Sequence, residues 1–104
     1  MTEDDCLLQL IVDPALEDAL TDWLLDLEDI RGFSSVAAFG HGASPRSMTL
    51  AEQVTGRQKR ILFMLNLPRE RASWLLARFR AAFPDSGAHF WSVPVLESGR
   101  LGGS

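Results

Sequence analysis

The chain has 104 residues and a mass of 11.5 kDa, the size of one domain and enough to bury about two-thirds of its unfolded surface in a single core. Hydrophobic residues make up 46% and charged residues 23%, which excludes a disordered or collagen-like chain, and the lone cysteine, Cys6, excludes an internal disulfide or an all-cysteine zinc cage within one chain. A net charge of −4 and a pI near 5.0 argue against general nucleic-acid binding, for which a domain pI above about 9 is usual.

Residues 6–12, Cys-Leu-Leu-Gln-Leu-Ile-Val, predict a short buried strand. Asp13-Pro14 stops it and opens a helix, since Asp caps well and Pro suits the first turn. That helix runs to about Asp29. Leu16, Leu20, Trp23, Leu24 and Leu27 share one face, and Glu17, Asp18, Asp22 and Asp26 lie largely outside it. Arg31-Gly32 ends it, with Gly32 suited to a left-handed cap.

Residues 33–39 predict a second strand, punctuated by Gly40-His41-Gly42. Residues 41–58 form a long polar connection holding a short helix at 50–54. Connections longer than about 12–15 residues in a small domain are usually functional or mobile. Residues 59–67 carry the strongest strand pattern. Pro68 opens a second helix over 69–83, with Ala72, Leu75, Leu76, Phe79 and Phe83 on its apolar face and Arg69, Arg71, Arg78 and Arg80 supplying its basic side. Pro84-Asp85-Ser86-Gly87 makes a turn, residues 89–96 a fourth strand, and residues 98–104 a flexible tail.

The order is βαββαβ, the split-βαβ motif. The fold class is α+β: a ferredoxin-like sandwich with a four-stranded antiparallel sheet, two helices on one face, and a single domain over 1–104.

Charge is unevenly placed. Residues 1–30 hold ten acids and no Lys or Arg, whereas the remainder holds all ten basic residues and four acids. An acidic and a basic face can each be simply solvated, or they can meet. The longest apolar runs fall far short of the roughly 18 residues a membrane helix needs. The acidic start lacks the positive region of a secretory signal. A cytoplasmic protein, not inserted in a membrane and not bound to nucleic acid, is expected.

A sheet with one wet face alternates apolar and polar residues. These strands do not. Ile61, Phe63, Leu65 and Leu67 alternate with Leu62 and Met64; Leu8, Leu10 and Val12 with Leu7 and Ile11; Trp91, Val93 and Val95 with Phe90, Pro94 and Leu96. Two helices cover only one face, so the other needs a cover, and an oligomer supplies it.

These residues also carry a resemblance. The stretch Gly32-Phe33-Ser34-Ser35-Val36-Ala37-Ala38-Phe39-Gly40-His41-Gly42 resembles the end of strand two and the opening of the T-loop in PII-like signalling proteins, which have CutA as a structural cousin. Val93 to Arg100 resembles their last strand and tail. More closely, His41-Gly42-Ala43-Ser44, Leu50 to Arg57 and Val93 to Arg100 resemble an uncharacterised bacterial PII-like family known as a domain of unknown function. The resemblance implies a homotrimer with three intersubunit clefts. Such clefts bind small effectors, often adenine nucleotides, and the T-loop (here 41–58) engages a protein partner. It also implies a setting of heavy-metal stress, with a membrane efflux system as that partner. The chain has no tyrosine, so uridylylation of a loop tyrosine is not expected.

The densest positive cluster is Gly56-Arg57-Gln58-Lys59-Arg60. Arginine grips phosphate bidentately and lysine adds a point charge. If strands two and three pair, both ends of the long connection converge. Gly40, His41, Gly42, Arg57, Lys59 and Arg60 are therefore the candidate ligand-binding residues, for an adenine nucleotide or another anion. A solvated strand start with glycine hinges would carry the same residues.

His41, between two glycines, is the candidate metal ligand, with Cys6, Glu52 or Glu97 as further donors and His89 as the other imidazole. No HxH or HxxE pair is present. Trp23 and Trp91 are expected in the apolar packing, and Cys6 as a small core residue. No acid–base or nucleophile set stands out, so an enzyme is not expected. The expectation is thus a PII-like regulatory or adaptor protein. The alternatives are a CutA-like divalent-metal binder and a structural trimer without ligand.

Overall fold

The computed structural model describes residues 4–30, 32–41 and 57–102. Most of the long connection, including Gly42 and the expected helix at 50–54, lies outside them. The elements are β1 (Asp5–Val12), a 3-10 turn (Pro14–Leu16), α1 (Glu17–Leu25), β2 (Ser34–His41), β3 (Arg57–Pro68), α2 (Arg69–Ala82) and β4 (His89–Pro94). The strands form one antiparallel sheet in the order β2-β3-β1-β4. This is the ferredoxin-like βαββαβ architecture that the hydrophobic pattern predicts.

Both helices start as expected. The Asp13 carboxylate accepts the Ala15 N–H at 2.9 Å, with Pro14 leading the 3-10 turn. Pro68 precedes α2, whose first free N–H, that of Arg69, donates to the Asp4 carbonyl at 2.8 Å.

The first helix ends earlier than the expected Asp29. Its regular part stops at Leu25. Leu27 and Ile30 then donate to the carbonyls three residues back at 3.2 Å, the tighter bonding that closes many helix ends. The physical reason is packing, since this tightened path lays Leu27 and Ile30 against the core. Gly32 does not take the left-handed cap; among the described residues only Gly87 and Gly102 have positive φ. Gly87, at φ 67°, lies between α2 and β4.

The core sits between the helices and one sheet face. Cys6, Leu8, Leu10 and Val12 of β1 stand opposite Leu67, Leu65, Phe63 and Ile61 of β3. They pack with Leu20 and Leu24 of α1 and with Ala72, Leu75 and Phe79 of α2. Trp23 closes the layer edge-on to Phe79 and Phe83, at 6.1 and 5.5 Å between ring centres.

The opposite face carries Leu7, Ile11, Leu62, Met64, Val36, Trp91 and Val93, assigned by strand parity and register. Trp91 is not a core residue, contrary to expectation. The residue is 44% exposed, and its indole N–H donates to the amide oxygen of Gln9, the residue directly opposite it. β4 is an edge strand whose parity puts Trp91 on the face away from the helices. The strand stops at Pro94 rather than at 96, and Val95 donates its N–H to the Asp5 carbonyl at 3.1 Å.

The acidic and basic segments do meet within the chain. Arg71 pairs with Asp29 at 2.9 Å and Arg60 with Asp13 at 3.6 Å.

Candidate functional site

The β2–β3 pair outruns its neighbour. β1 stops opposite Ile61, but β2 and β3 continue through Ala38–Arg60, Phe39–Lys59, Gly40–Gln58 and His41–Arg57. A two-stranded ribbon therefore extends past the four-stranded sheet and carries both roots of the long connection. The register gathers Gly40, His41, Arg57, Lys59 and Arg60 there, as convergence of the loop ends predicts.

Strand parity divides these residues between two faces. Phe39, His41, Arg57 and Lys59 share the helix-side face, and the Arg57 guanidinium carbon lies 4.4 Å from the centre of the Phe39 ring. This stack, with Lys59 opposite Phe39 and His41 opposite Arg57, concentrates positive charge beside an aromatic surface. It suits an anion with a planar group. Arg60 is on the other face and bridges to Asp13, which also caps the first helical turn. It therefore ties the ribbon root to the body of the fold. Gly40 is a regular strand residue: a Cβ there would meet nothing closer than 3.7 Å, so neither a hinge nor a close approach calls for glycine.

No group of three or more His, Cys, Asp or Glu side chains comes together among the described residues. His41 faces an arginine across the ribbon, and His89 lies on the opposite edge strand. Cys6 pairs with Leu67 and Pro94 at the other end of the sheet. It is 5% exposed, and burial pushes its thiol above the usual value, with the Arg69 charge opposing and the Asp5 charge adding to the rise. Glu52 lies outside the described residues.

Phe39 and Asp13 join the site through the register and the Arg60 bridge, and neither is among the expected site residues. Phe39 had a signal, since it lies two residues before His41 and therefore on the same strand face. A further concavity of about 410 Å³ separates α2 from β4, with Leu10, Leu76, Phe79, Phe83 and Phe90 among its lining and Arg80 at its side. The single-residue signals in that stretch read only as a helix face and a turn.

The family model described as "Protein of unknown function (DUF3240)" matches residues 1–102. The chain belongs to the DUF3240 family. A crystal structure of a DUF3240 family protein from Shewanella baltica OS155 matches with a TM-score of 0.78 and 22% identity, covering 98% of this chain and 100% of that one. CPII is a nitrogen regulatory PII-like protein from Thiomonas intermedia K12, solved bound to ADP, AMP and bicarbonate. It matches with a TM-score of 0.67 and 20% identity, over 93% of this chain and 96% of that one. A functionally unknown protein from Pediococcus pentosaceus ATCC 25745 follows at 0.62 and 17% identity, covering 96% and 100%. Among curated proteins, none matches this sequence. The DUF3240 chain thus has a PII-like fold, as the sequence resemblance implies.

Proposed function

We propose that this DUF3240 chain is a PII-like regulatory or adaptor protein that acts by binding rather than by catalysis. A small anionic effector binds at the ribbon, and the connection rooted there changes its engagement of a protein partner. The observation that carries this is the stack of Arg57 on Phe39 with Lys59 and His41 on the same ribbon face. Charge-assisted hydrogen bonds to an anion are about twice as strong as neutral ones. A ligand held at both roots of a loop biases the ordering of that loop. The PII-like likeness supports an adenine nucleotide as the first candidate, because CPII was solved with ADP and AMP.

The same proposal places the chain in a homotrimer closed through the open sheet face. Val36, Trp91 and Val93 are 43–47% exposed on that face, and contiguous apolar surface of this kind marks an interface. The ligand cleft then lies between neighbouring copies.

Titration calorimetry with ADP and AMP, run beside light scattering, tests the effector. The wild-type chain is expected to bind at least one of them. Arg57→Ala with Lys59→Ala should weaken binding at least about tenfold, since each lost charge-assisted bond is worth about 1.5–3 kcal/mol. The assembled mass should not change. Absence of heat from both nucleotides on the wild-type protein would refute nucleotide sensing.

A further inference from the structure

Two apolar features of this chain are left open within it. Leu96 and Leu101 are 96% and 101% exposed, the accessibility of leucines that touch almost nothing. The trough between α2 and β4 presents Leu10, Leu76, Phe79, Phe83 and Phe90 around an unfilled space of about 410 Å³. That volume is in the range of about 300–1,000 Å³ typical of ligand pockets, and it is large enough for more than one aliphatic side chain. We infer that residues 96–101 of one copy lie in the α2–β4 trough of a second copy, with Leu96 and Leu101 seated among the aromatic rings and Glu97 at Arg80.

Charge supports this pairing. The Arg80 guanidinium carbon is 5.7 Å from the Phe90 ring centre, at the side of the trough. Among the described residues it forms no ion pair. Glu97, the neighbour of Leu96, is exposed and brings the complementary charge.

Reach argues for a second copy rather than the chain's own trough. β4 begins beside the trough, where His89 stands opposite Ile11, and ends at Pro94 opposite Cys6. The Val95–Asp5 hydrogen bond then holds the tail at that far end. The six residues of β4 span roughly 20 Å at about 3.3 Å each. Residues 96–101 span no more when fully extended. To return, the chain would have to reverse direction immediately after Val95. It would then have no length left to enter the trough. A neighbour's trough has no such constraint.

This inference rests on the self-assembly proposed above, and its test separates the two. Chains carrying Cys6→Ala, which removes the lone thiol, are given either Leu96→Cys or Ser86→Cys. Ser86 lines the trough. The two chains are co-expressed with tags of different size and oxidised. A disulfide forms only when Cα atoms come within about 7 Å. A covalent dimer of mixed size is the expected main product. Arg80→Glu in the Ser86→Cys chain should lower its yield about threefold, the effect of a partly exposed ion pair, and Glu97→Arg in the other chain should restore it. Leu76→Cys on the trough wall is run alongside in place of Ser86→Cys, so that one misfolded variant does not decide the result. Assembled chains that give no mixed dimer with either trough cysteine would overturn the inference while leaving self-assembly standing. A cross-link formed only within one chain, in the double variant Leu96→Cys with Ser86→Cys, would overturn it in favour of the chain's own tail. A wild-type mass of one chain by light scattering would remove both proposals together.

Discussion

Trp91 offers the most direct measure of the open sheet face. This residue is 44% exposed in the single chain. A tryptophan presents up to about 250 Å², so roughly 110 Å² of it is left for a partner to cover. At about 25 cal/mol per Å², that is about 2.8 kcal/mol for each copy, or about 8 kcal/mol over a trimer. Replacing it with alanine removes most of this term. The cost to the isolated fold should be far smaller, because the partner it leaves behind, Gln9, can turn to water. Trp91→Ala should therefore dissociate at concentrations where the wild type stays assembled, with the unfolding of each chain little altered. Trp74→Ala is the control. Trp74 is stacked between Arg71 and Arg78, at 4.5 Å from each guanidinium carbon, on the helix layer rather than on the open face. Its loss should leave the assembled mass unchanged. Sedimentation velocity across the micromolar range reads both. If the wild type sediments as single chains, or if Trp91→Ala assembles as tightly as the wild type, the assignment of this face to self-association fails.

Other outcomes follow from individual contacts. Leu65 is fully buried against Leu8, so Leu65→Ala should lower stability by about 2–5 kcal/mol in urea titrations. Asp13→Ala removes both the Ala15 cap and the bridge to Arg60. The cap is worth about 1 kcal/mol and the partly exposed bridge at most about 1 kcal/mol more, which thermal unfolding should show as a drop of several degrees. Burial raises the folded-state value of the Cys6 thiol above its ordinary 9.0. The folded protein therefore holds this proton more tightly than the unfolded chain does. Stability from this group is intact below pH 9 and is lost as pH rises from there towards the folded-state value. Cys6→Ala should flatten that alkaline fall in stability curves, and thiol reagents should label native Cys6 only slowly.

Much of the fold was legible in the sequence because its signals are local. The apolar alternation of Leu8, Leu10 and Val12 and of Phe63, Leu65 and Leu67 marks one core-facing row in each strand. Pro14 and Pro68 mark the places where helical segments begin, Pro14 in a first turn where its missing N–H costs nothing and Pro68 one position before α2. The double-sided apolar strands likewise mark a second apolar sheet face, which the single chain leaves partly exposed. The extent of α1 was not legible. Leu27 and Ile30 continue the apolar spacing beyond the regular helix, and core packing bends the backbone there into a tighter path. Of the site, the cationic cluster and both roots of the connection were readable. The Phe39 partner of Arg57 was not, because stacking across two strands depends on their register.

The amino-acid order by itself determined which residues shun water, where helices start, and how charge divides between the first thirty residues and the remainder. Only the tertiary structure decided that His41 stands opposite Arg57, that β2 and β3 extend beyond β1 as a ribbon, and that Trp91 lies on the outer face of an edge strand. Periodicity reports which side of its own element a residue occupies. Strand register, strand order and the reach of a helix over its sheet arise from contacts between residues distant in the chain, and those contacts place the ribbon and open the trough beside Arg80.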